Sequence, residues 1–471
     1  MPQSIVQLQT ALSTGETTAL QVVESYLAKI EETSDLNIYV EVFAEEARAK
    51  ARQQDEARLA GKALGRMAGI VLSIKDVLCY SGHKVSAASK ILDGFVSPYT
   101  GTALQRLLDE DAIIIGRTNC DEFAMGSGNE NSYYGPTLNA ADPTRVPGGS
   151  SGGAAVSVQA ETCQMAVGSS TGGSVRQPAS FCGLYGFKPT YGRISRHGLI
   201  AYGSSFDQIG LIAHNPADIA LGIEIMAGPD QWDATAPDLP VPQLTQAEGP
   251  QSAKIAYFPQ LLNSSRLDPS LSESIEEAKT RFIDAGHQVE PVEFDLFDYV
   301  VPAYYVLTTA EASSNLSRYD GMRYGYRSPN GTDLDSTYKL SRTEGFGTEV
   351  QRRIMLGTFV LSSGYYDAYY NKAQRARRLI SERLEAILSK HDFILMPVSP
   401  SLPWKIGEQV DDPVANYLAD VYTVLANLAG LPAVAVPTGA DKENLPTGYQ
   451  LMGRRWEEAK LLSFVQNLLG S

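Results

Sequence analysis

Residues 102–116, TALQRLLDEDAIIIG, decide the fold class: Thr102 to about Glu110 reads as a helix, and Ala112-Ile113-Ile114-Ile115-Gly116 as a short apolar strand. The same α-then-β pattern recurs on both sides. Upstream, a charged helix near residues 44–60 precedes Gly69-Ile70-Val71-Leu72-Ser73-Ile74-Lys75, a buried strand with Lys75 at its carboxyl end. Downstream, a helix over about 270–284 precedes the strand His287-Gln288-Val289-Glu290. Such alternation predicts an α/β fold, a sheet covered by helices. Further out, residues 4–33 read as two amphipathic helices. Ser4 caps the first, with Ile5, Leu8 and Leu12 inward; Thr18 caps the second, with Leu20, Val23, Leu27 and Ile30 at helical spacing. Phe393 to Pro397 and Leu431 to Pro437 read as two more buried strands, each ending in proline. The expected organisation is one domain over 1–471, with a helical N-terminal segment (about 1–60), a Pro-, Asp- and Gln-rich surface excursion (about 229–250) and a helical region (about 300–390).

Composition excludes several classes of function. The chain has 471 residues, 43% of them apolar, enough for a sizeable core. With 39 Lys and Arg against 54 Asp and Glu the net charge is −15, and the one basic cluster is Arg375, Arg377 and Arg378. That balance does not suit independent binding of a nucleic-acid backbone. Four separated cysteines and five scattered histidines offer neither a disulfide scaffold nor zinc spacing, so no metal is expected. No apolar run approaches the about 20 residues of a membrane span, and residues 1–16 lack a signal peptide's pattern, so a cytoplasmic protein is expected.

Three features carry possible chemistry: Lys75, the run Pro147-Gly148-Gly149-Ser150-Ser151-Gly152-Gly153, and Gly168-Ser169-Ser170-Thr171-Gly172-Gly173-Ser174-Val175-Arg176. The stretch from Pro147 to Gly186 is too glycine-dense for continuous helix and reads as backbone built for close approach. No histidine lies near it, so a Ser/His/Asp triad needs long-range contact, and a Ser/Ser/Lys relay is more economical. A lysine can act as a base only when neutral. Its pKa must fall from about 10.4 toward ~7 to 8, at a cost of ~4 kcal/mol, and burial can supply that. The amides of Thr171, Gly172, Gly173 and Ser174 are the candidate oxyanion hole. Taken singly, Lys75-Asp76 also reads as a solvated surface pair, GGSSGG as a flexible turn and TGGS as a tight connection; the conjunction favours chemistry.

GGSSGG, a GGS-V-R run whose Ser174 lies 24 residues after Ser150, and a lysine 75 residues upstream of Ser150 together resemble the amidase signature family, over nearly the whole chain. The resemblance implies an α/β/α sandwich with a mixed central sheet of about eleven strands covered by helices. It implies Ser174 as acyl-forming nucleophile, Ser150 as bridging serine after a cis peptide, and Lys75 as base. Phe187 to Arg196, Ser204 to Gly210, Ala310 to Leu316 and Arg352 to Thr358 are similar to the branch of that family serving tRNA-dependent amidotransferases. There, one subunit hydrolyses glutamine and passes ammonia to a B subunit. The B subunit holds the tRNA, ATP and magnesium and converts Glu-tRNA(Gln) to Gln-tRNA(Gln); B and C subunits complete a heterotrimer. By that resemblance this chain needs no cofactor of its own. Arg353 would pair with the α-carboxylate of glutamine and Asp420 with its α-ammonium, with Tyr304 and Ser127 lining the pocket. Otherwise Arg353 and Asp420 read as surface charges and Tyr304 as core.

Two departures stand out. Ser170 replaces the aspartate usual before TGGS, which predicts altered electrostatics beside the oxyanion hole, and Gly128-Asn129 replaces a usual Ser-Thr. The competing readings are a stand-alone amidase for another small amide and a catalytically silent scaffold.

Overall fold

The helix and strand of the opening stretch form as Thr102–Asp109 and Ile113–Thr118. The computed structural model describes residues 4–408 and 417–468. In chain order the strands are β1 (Tyr39–Val42), β2 (Val71–Lys75), β3 (Ile113–Thr118), β4 (Met165–Ser170), β5 (Tyr185–Lys188) and β6 (Gln208–Ala213). They continue with β7 (Lys254–Tyr257), β8 (Gln288–Pro291), β9 (Phe393–Pro397), β10 (Ala433–Ala440) and β11 (Pro446–Met452). Among the described residues these make one 11-stranded sheet in the order β1-β3-β2-β4-β6-β5-β10-β11-β9-β7-β8. It is mixed: β2 runs parallel to β3 and β4, and β7 parallel to β8 and β9, while β4–β6, β5–β6, β5–β10, β10–β11 and β9–β11 are antiparallel.

Alternation of side chains makes three layers from this sheet. In β9, Phe393 and Leu395 enter one core cluster and Ile394 and Met396 another; in β7, Ile255 and Ala256 divide in the same way. The first cluster includes Ile275 and Phe282 of the helix Pro269–Asp284 and Leu461 and Phe464 of Glu458–Asn467. The second includes Tyr304 and Leu307 of Phe297–Asn315 and Ile380 and Leu384 of Lys372–Leu388. Both faces of these strands are therefore buried, which is why they read as continuous apolar runs.

The N-terminal segment forms the helices Ile5–Thr14 and Ala19–Glu32, with Ser4 and Thr18 each in a capping box. Asp55, from the charged helix Ala44–Leu59, also accepts from the Ala19 and Leu20 amides at 2.8 and 3.0 Å. Ile5, Leu8, Leu12, Val23 and Leu27 are buried; Leu20 and Ile30 are half-buried at the rim of the same core. One expectation is corrected: the last apolar strand does not stop at Pro437. It continues to Ala440, with a register shift between Pro437 and Gly439 against β11, which lets the ladder absorb a residue without an N–H. In the 229–250 excursion Trp232 is exposed, while Leu244 is buried. No helix among the described residues is long and apolar enough to cross a membrane.

Leu72 of β2 is fully buried beside the strand end that carries Lys75, whereas Leu59 is 90% exposed. We expect Leu72→Ala to destabilise by roughly 2–5 kcal/mol and Leu59→Ala by less than about 0.5 kcal/mol, read as shifts of the urea midpoint. Equal shifts for the two would contradict this placement of the core.

Candidate active site

Parallel pairing of β2 with β4 sets Ile74 against Val167, so both strands end at the same edge of the sheet, where open α/β sheets present their clefts. β2 ends in Lys75, and β4 ends in Ser170 and leads into Thr171-Gly172-Gly173-Ser174. Ser150 precedes the helix Gly152–Gln159, which packs on the same strands.

Lys75 is wholly buried, and its Nζ lies 2.7 Å from Ser150 Oγ and 2.9 Å from Ser151 Oγ. Burial lowers its pKa to about 8, against the opposing pull of Cys120, Asp121 and Asp207. The Gly149–Ser150 peptide is cis. Ser174 joins the group through backbone: the Ser151 N–H donates to the Ser174 carbonyl at 3.2 Å. Among the described residues no hydrogen bond links the Ser150 and Ser174 hydroxyls, and none links a histidine to either. Lys75 and Ser150 are thus in contact, with Ser174 beside them. Lys75-Asp76 is not a surface pair, because Asp76 is also fully buried and accepts from the Ser86 and Ala88 amides.

The amides of Thr171, Gly172, Gly173 and Ser174 donate to no acceptor among the described residues. Thr171 instead uses its hydroxyl, donating to Asp207 at 2.6 Å, while Asp207 also accepts from the Tyr202 and Gly203 amides. Ser170 is buried and donates its hydroxyl to the Gly172 carbonyl at 2.8 Å. The two glycines are required by their neighbours. A Cβ on Gly172 would stand 2.7 Å from the Tyr304 hydroxyl, and one on Gly173 2.7 Å from Asp420 Oδ1.

That contact brings two of the expected substrate residues, Tyr304 and Asp420, to the same loop. Ser127 donates to Asp420 Oδ2 at 3.0 Å, while Asp420 Oδ1 is buried without a partner, and burial pushes this carboxyl up to about 6. Tyr304 is core: it is buried and packs edge-on against Phe206, with its hydroxyl at Gly172. Arg353 is nearly buried, not a surface charge. It donates from Nε to Glu349 and from Nη1 to the Tyr202 hydroxyl, both at 2.8 Å, with the rings of Tyr202, Tyr305 and Tyr417 about it. Ser127 and Arg353 both face a cavity of about 620 Å³.

Sequence reasoning passes over several members. Ser151 carries no expected role, although it shares a motif with Ser150 and touches the same amine. Glu122, which lines the cavity, accepts from the Gly347 amide at 2.9 Å and so fixes the start of the helix Thr348–Leu361 that carries Arg353; burial pushes it up to about 7. That bond spans 225 positions and has no local signal. Of the basic cluster, Arg377 is half-buried, stacked 4.1 Å from Phe206 and bonded to Ser205, while Arg375 and Arg378 are exposed.

Comparison with known proteins finds relatives along nearly the whole chain. The family model described as Amidase matches residues 21–462. The A subunit of glutamyl-tRNA(Gln) amidotransferase from Chlorobium phaeobacteroides is 48% identical over 462 residues, 98% of this chain and 97% of that protein. The crystal structure of the corresponding A subunit from Thermotoga maritima is 38% identical with a TM-score of 0.78, covering 95% of this chain and 90% of that one. The peptide amidase of Stenotrophomonas maltophilia is 28% identical with a TM-score of 0.84, covering 99% and 96%. A buried lysine against a cis-peptide serine, a glycine-lined serine loop and a match along nearly the whole chain place this protein in the amidase signature family.

Proposed function

We propose that this chain is the glutamine-hydrolysing subunit of a tRNA-dependent amidotransferase. The observation that carries the reading is the buried Lys75 amine 2.7 Å from Ser150, beside a loop whose amides are unbonded. Neutral Lys75 takes the Ser150 proton as Ser150 takes that of Ser174, and Ser174 Oγ attacks the carboxamide carbon of glutamine. Catalytic hydrogen bonds are often long in unliganded sites, which accommodates the unbonded Ser150–Ser174 pair. The oxyanion is received by the amides of Thr171 to Ser174. Collapse returns the proton to the leaving nitrogen and expels ammonia; water then attacks the acyl-enzyme by the same relay and releases glutamate. Arg353 takes the α-carboxylate, and the unpartnered oxygen of Asp420 takes the α-ammonium, with Ser127 and Tyr304 closing the pocket.

The near-full-length likeness to A subunits of glutamyl-tRNA(Gln) amidotransferases supports the rest of the reading. Ammonia passes to a B subunit that holds ATP, magnesium and Glu-tRNA(Gln), a C subunit completes the assembly, and this chain carries no cofactor. The surplus of acidic residues is consistent with leaving the tRNA to a partner. Four buried, unpaired cysteines suit the cytoplasm. A second reading, a stand-alone amidase, draws on the likeness to the peptide amidase. Turnover of diverse amides by the purified chain, unstimulated by a B subunit, is the outcome that would select it.

In complex with B and C subunits, Ser174→Ala is expected to lower glutamine-dependent amidation at least ~10³-fold while ammonia-driven amidation persists. Equal glutamine turnover by both proteins would remove the nucleophile assignment. The pH profile of kcat/KM is expected to rise through about 8 as Lys75 loses its proton. The same burial costs stability. Folded Lys75 titrates at about 8 and the unfolded residue at about 10.4, so the unfolded chain binds more protons between those values and stability rises with pH across that window. Below it the full cost, on the order of 3 kcal/mol, is present. Lys75→Met is therefore expected to be inactive yet to melt higher than wild type at pH 7; a lower melting temperature would contradict the buried-amine account.

A further inference from the structure

The guanidinium of Arg176 is fully buried, and every hydrogen-bond acceptor it has is neutral, although the Asp420 carboxylate attracts it through space. Nη1 donates to Gln450 Oε1 at 2.6 Å, and Nη2 lies 2.7 Å from the Gly172 carbonyl, 2.9 Å from the Thr423 carbonyl and 2.8 Å from Asn427 Oδ1. Nε has no partner. Arg176 donates to no carboxylate, yet a buried charge is expensive to maintain. Its arrangement is instructive at Gly172. That carbonyl receives two donors, Arg176 Nη2 at 2.7 Å and Ser170 Oγ at 2.8 Å. The Gly172–Gly173 peptide is trans, so its carbonyl and the N–H of Gly173 point in opposite directions in one plane. Whatever holds that carbonyl back therefore aims that N–H forward. Without side chains, the two glycines cannot hold this plane themselves.

We propose that Arg176 and Ser170 are positioning residues that clamp the Gly172 carbonyl and thereby aim the Gly173 N–H at the oxyanion formed when Ser174 attacks the amide. The inference rests on the glutaminase reading above and deepens it. It accounts for the buried charge, because a cationic donor grips the carbonyl more firmly than a neutral one. Through Thr423 and Asn427 the same guanidinium ties the serine loop to the segment that carries Asp420. It also gives Ser170 a role that an ionised aspartate could not fill, since a carboxylate has no proton to donate to the Gly172 oxygen.

The test separates binding of the substrate from binding of the tetrahedral state. The probe is 2-amino-4-boronobutanoate, in which a boronic acid replaces the carboxamide of glutamine. Ser174 Oγ forms a bond to boron, its proton passes through Ser150 to Lys75, and the resulting tetrahedral boronate places an oxygen at the oxyanion amides. L-glutamate reports the ground-state site. For Ser170→Ala we expect kcat for glutamine to fall ~10-fold, short of the ~10²–10³-fold that follows outright loss of an oxyanion donor. Boronate affinity should fall by the same factor, with KM and glutamate affinity within about 2-fold of wild type. Arg176→Lys, which keeps the charge and loses the fork, is expected to show the same split with a larger loss. Should Arg176→Lys fail to fold, Ser170→Ala decides alone. Unchanged kcat and boronate affinity in Ser170→Ala would overturn the clamp, and so would a parallel fall in glutamate affinity, the mark of general collapse. If Ser174→Ala still hydrolyses glutamine, the glutaminase reading itself fails; if it is inactive and Ser170→Ala is unaltered, the clamp alone fails.

Discussion

An amine kept out of water is the constraint on which the rest of this structure depends. Lys75 closes a strand whose every residue is buried, with parallel neighbours on both sides. Burial drives its pKa down, and Cys120 together with the buried carboxylates Asp121 and Asp207 restrains the fall, leaving it at about 8. Both acids are themselves pushed up to about 6 by burial, so near neutrality they remain largely ionised. Desolvation alone would push the amine lower still; anions without desolvation would leave a permanent ammonium. The site lies between these limits because its charges are buried together.

The two restraining acids also shape what surrounds the amine. Asp121 accepts from the Asn129 and Asn131 amides, on the loop that carries Ser127, and its own N–H donates to the Ser150 carbonyl. Asp207 holds Thr171 at the start of the serine loop. Each carboxylate therefore acts on the Lys75 amine electrostatically and fixes, by hydrogen bonds, a segment of the candidate site. Rigid support of this kind is what a reacting geometry with sub-ångström tolerance requires.

How much of this was legible in the sequence follows from the range of each interaction. Strands β2 and β3, the capped helices at residues 5–32 and the adjacency of Lys75 to the GGSSGG run are written in local patterns or in a distinctive spaced motif. The Arg353 cage is not. Glu349 is a local partner, four residues before Arg353 on one helix, but Tyr202, Tyr305 and Tyr417 are scattered along the chain, and each alone is an ordinary aromatic residue. Arg176 belongs to the serine motif, yet its partners Gln450 and Asn427 lie 274 and 251 positions away, so its burial had no local signature. Pro437 misled for the opposite reason: a strong local signal, the missing N–H, was overridden by a register shift available only once β11 was paired.

The division between strand-borne and helix-borne residues bears on how one fold serves different amides. Lys75 sits at a strand end, Ser174 on the tight connection after β4, and Ser150 just before the helix Gly152–Gln159 that packs on both strands. Tyr304 and Arg353 sit on the helices Phe297–Asn315 and Thr348–Leu361, and Asp420 just before Val424–Leu428. The two sets meet at Gly172 and Gly173, where only the absence of a Cβ allows the Tyr304 hydroxyl and Asp420 to reach the serine loop. Helices can diverge in sequence without disturbing strand register, whereas a change at either glycine would disturb both sets together. A peptide amidase of 28% identity that keeps a TM-score of 0.84 is what such a separation allows: fold retained while substrate contacts are free to change.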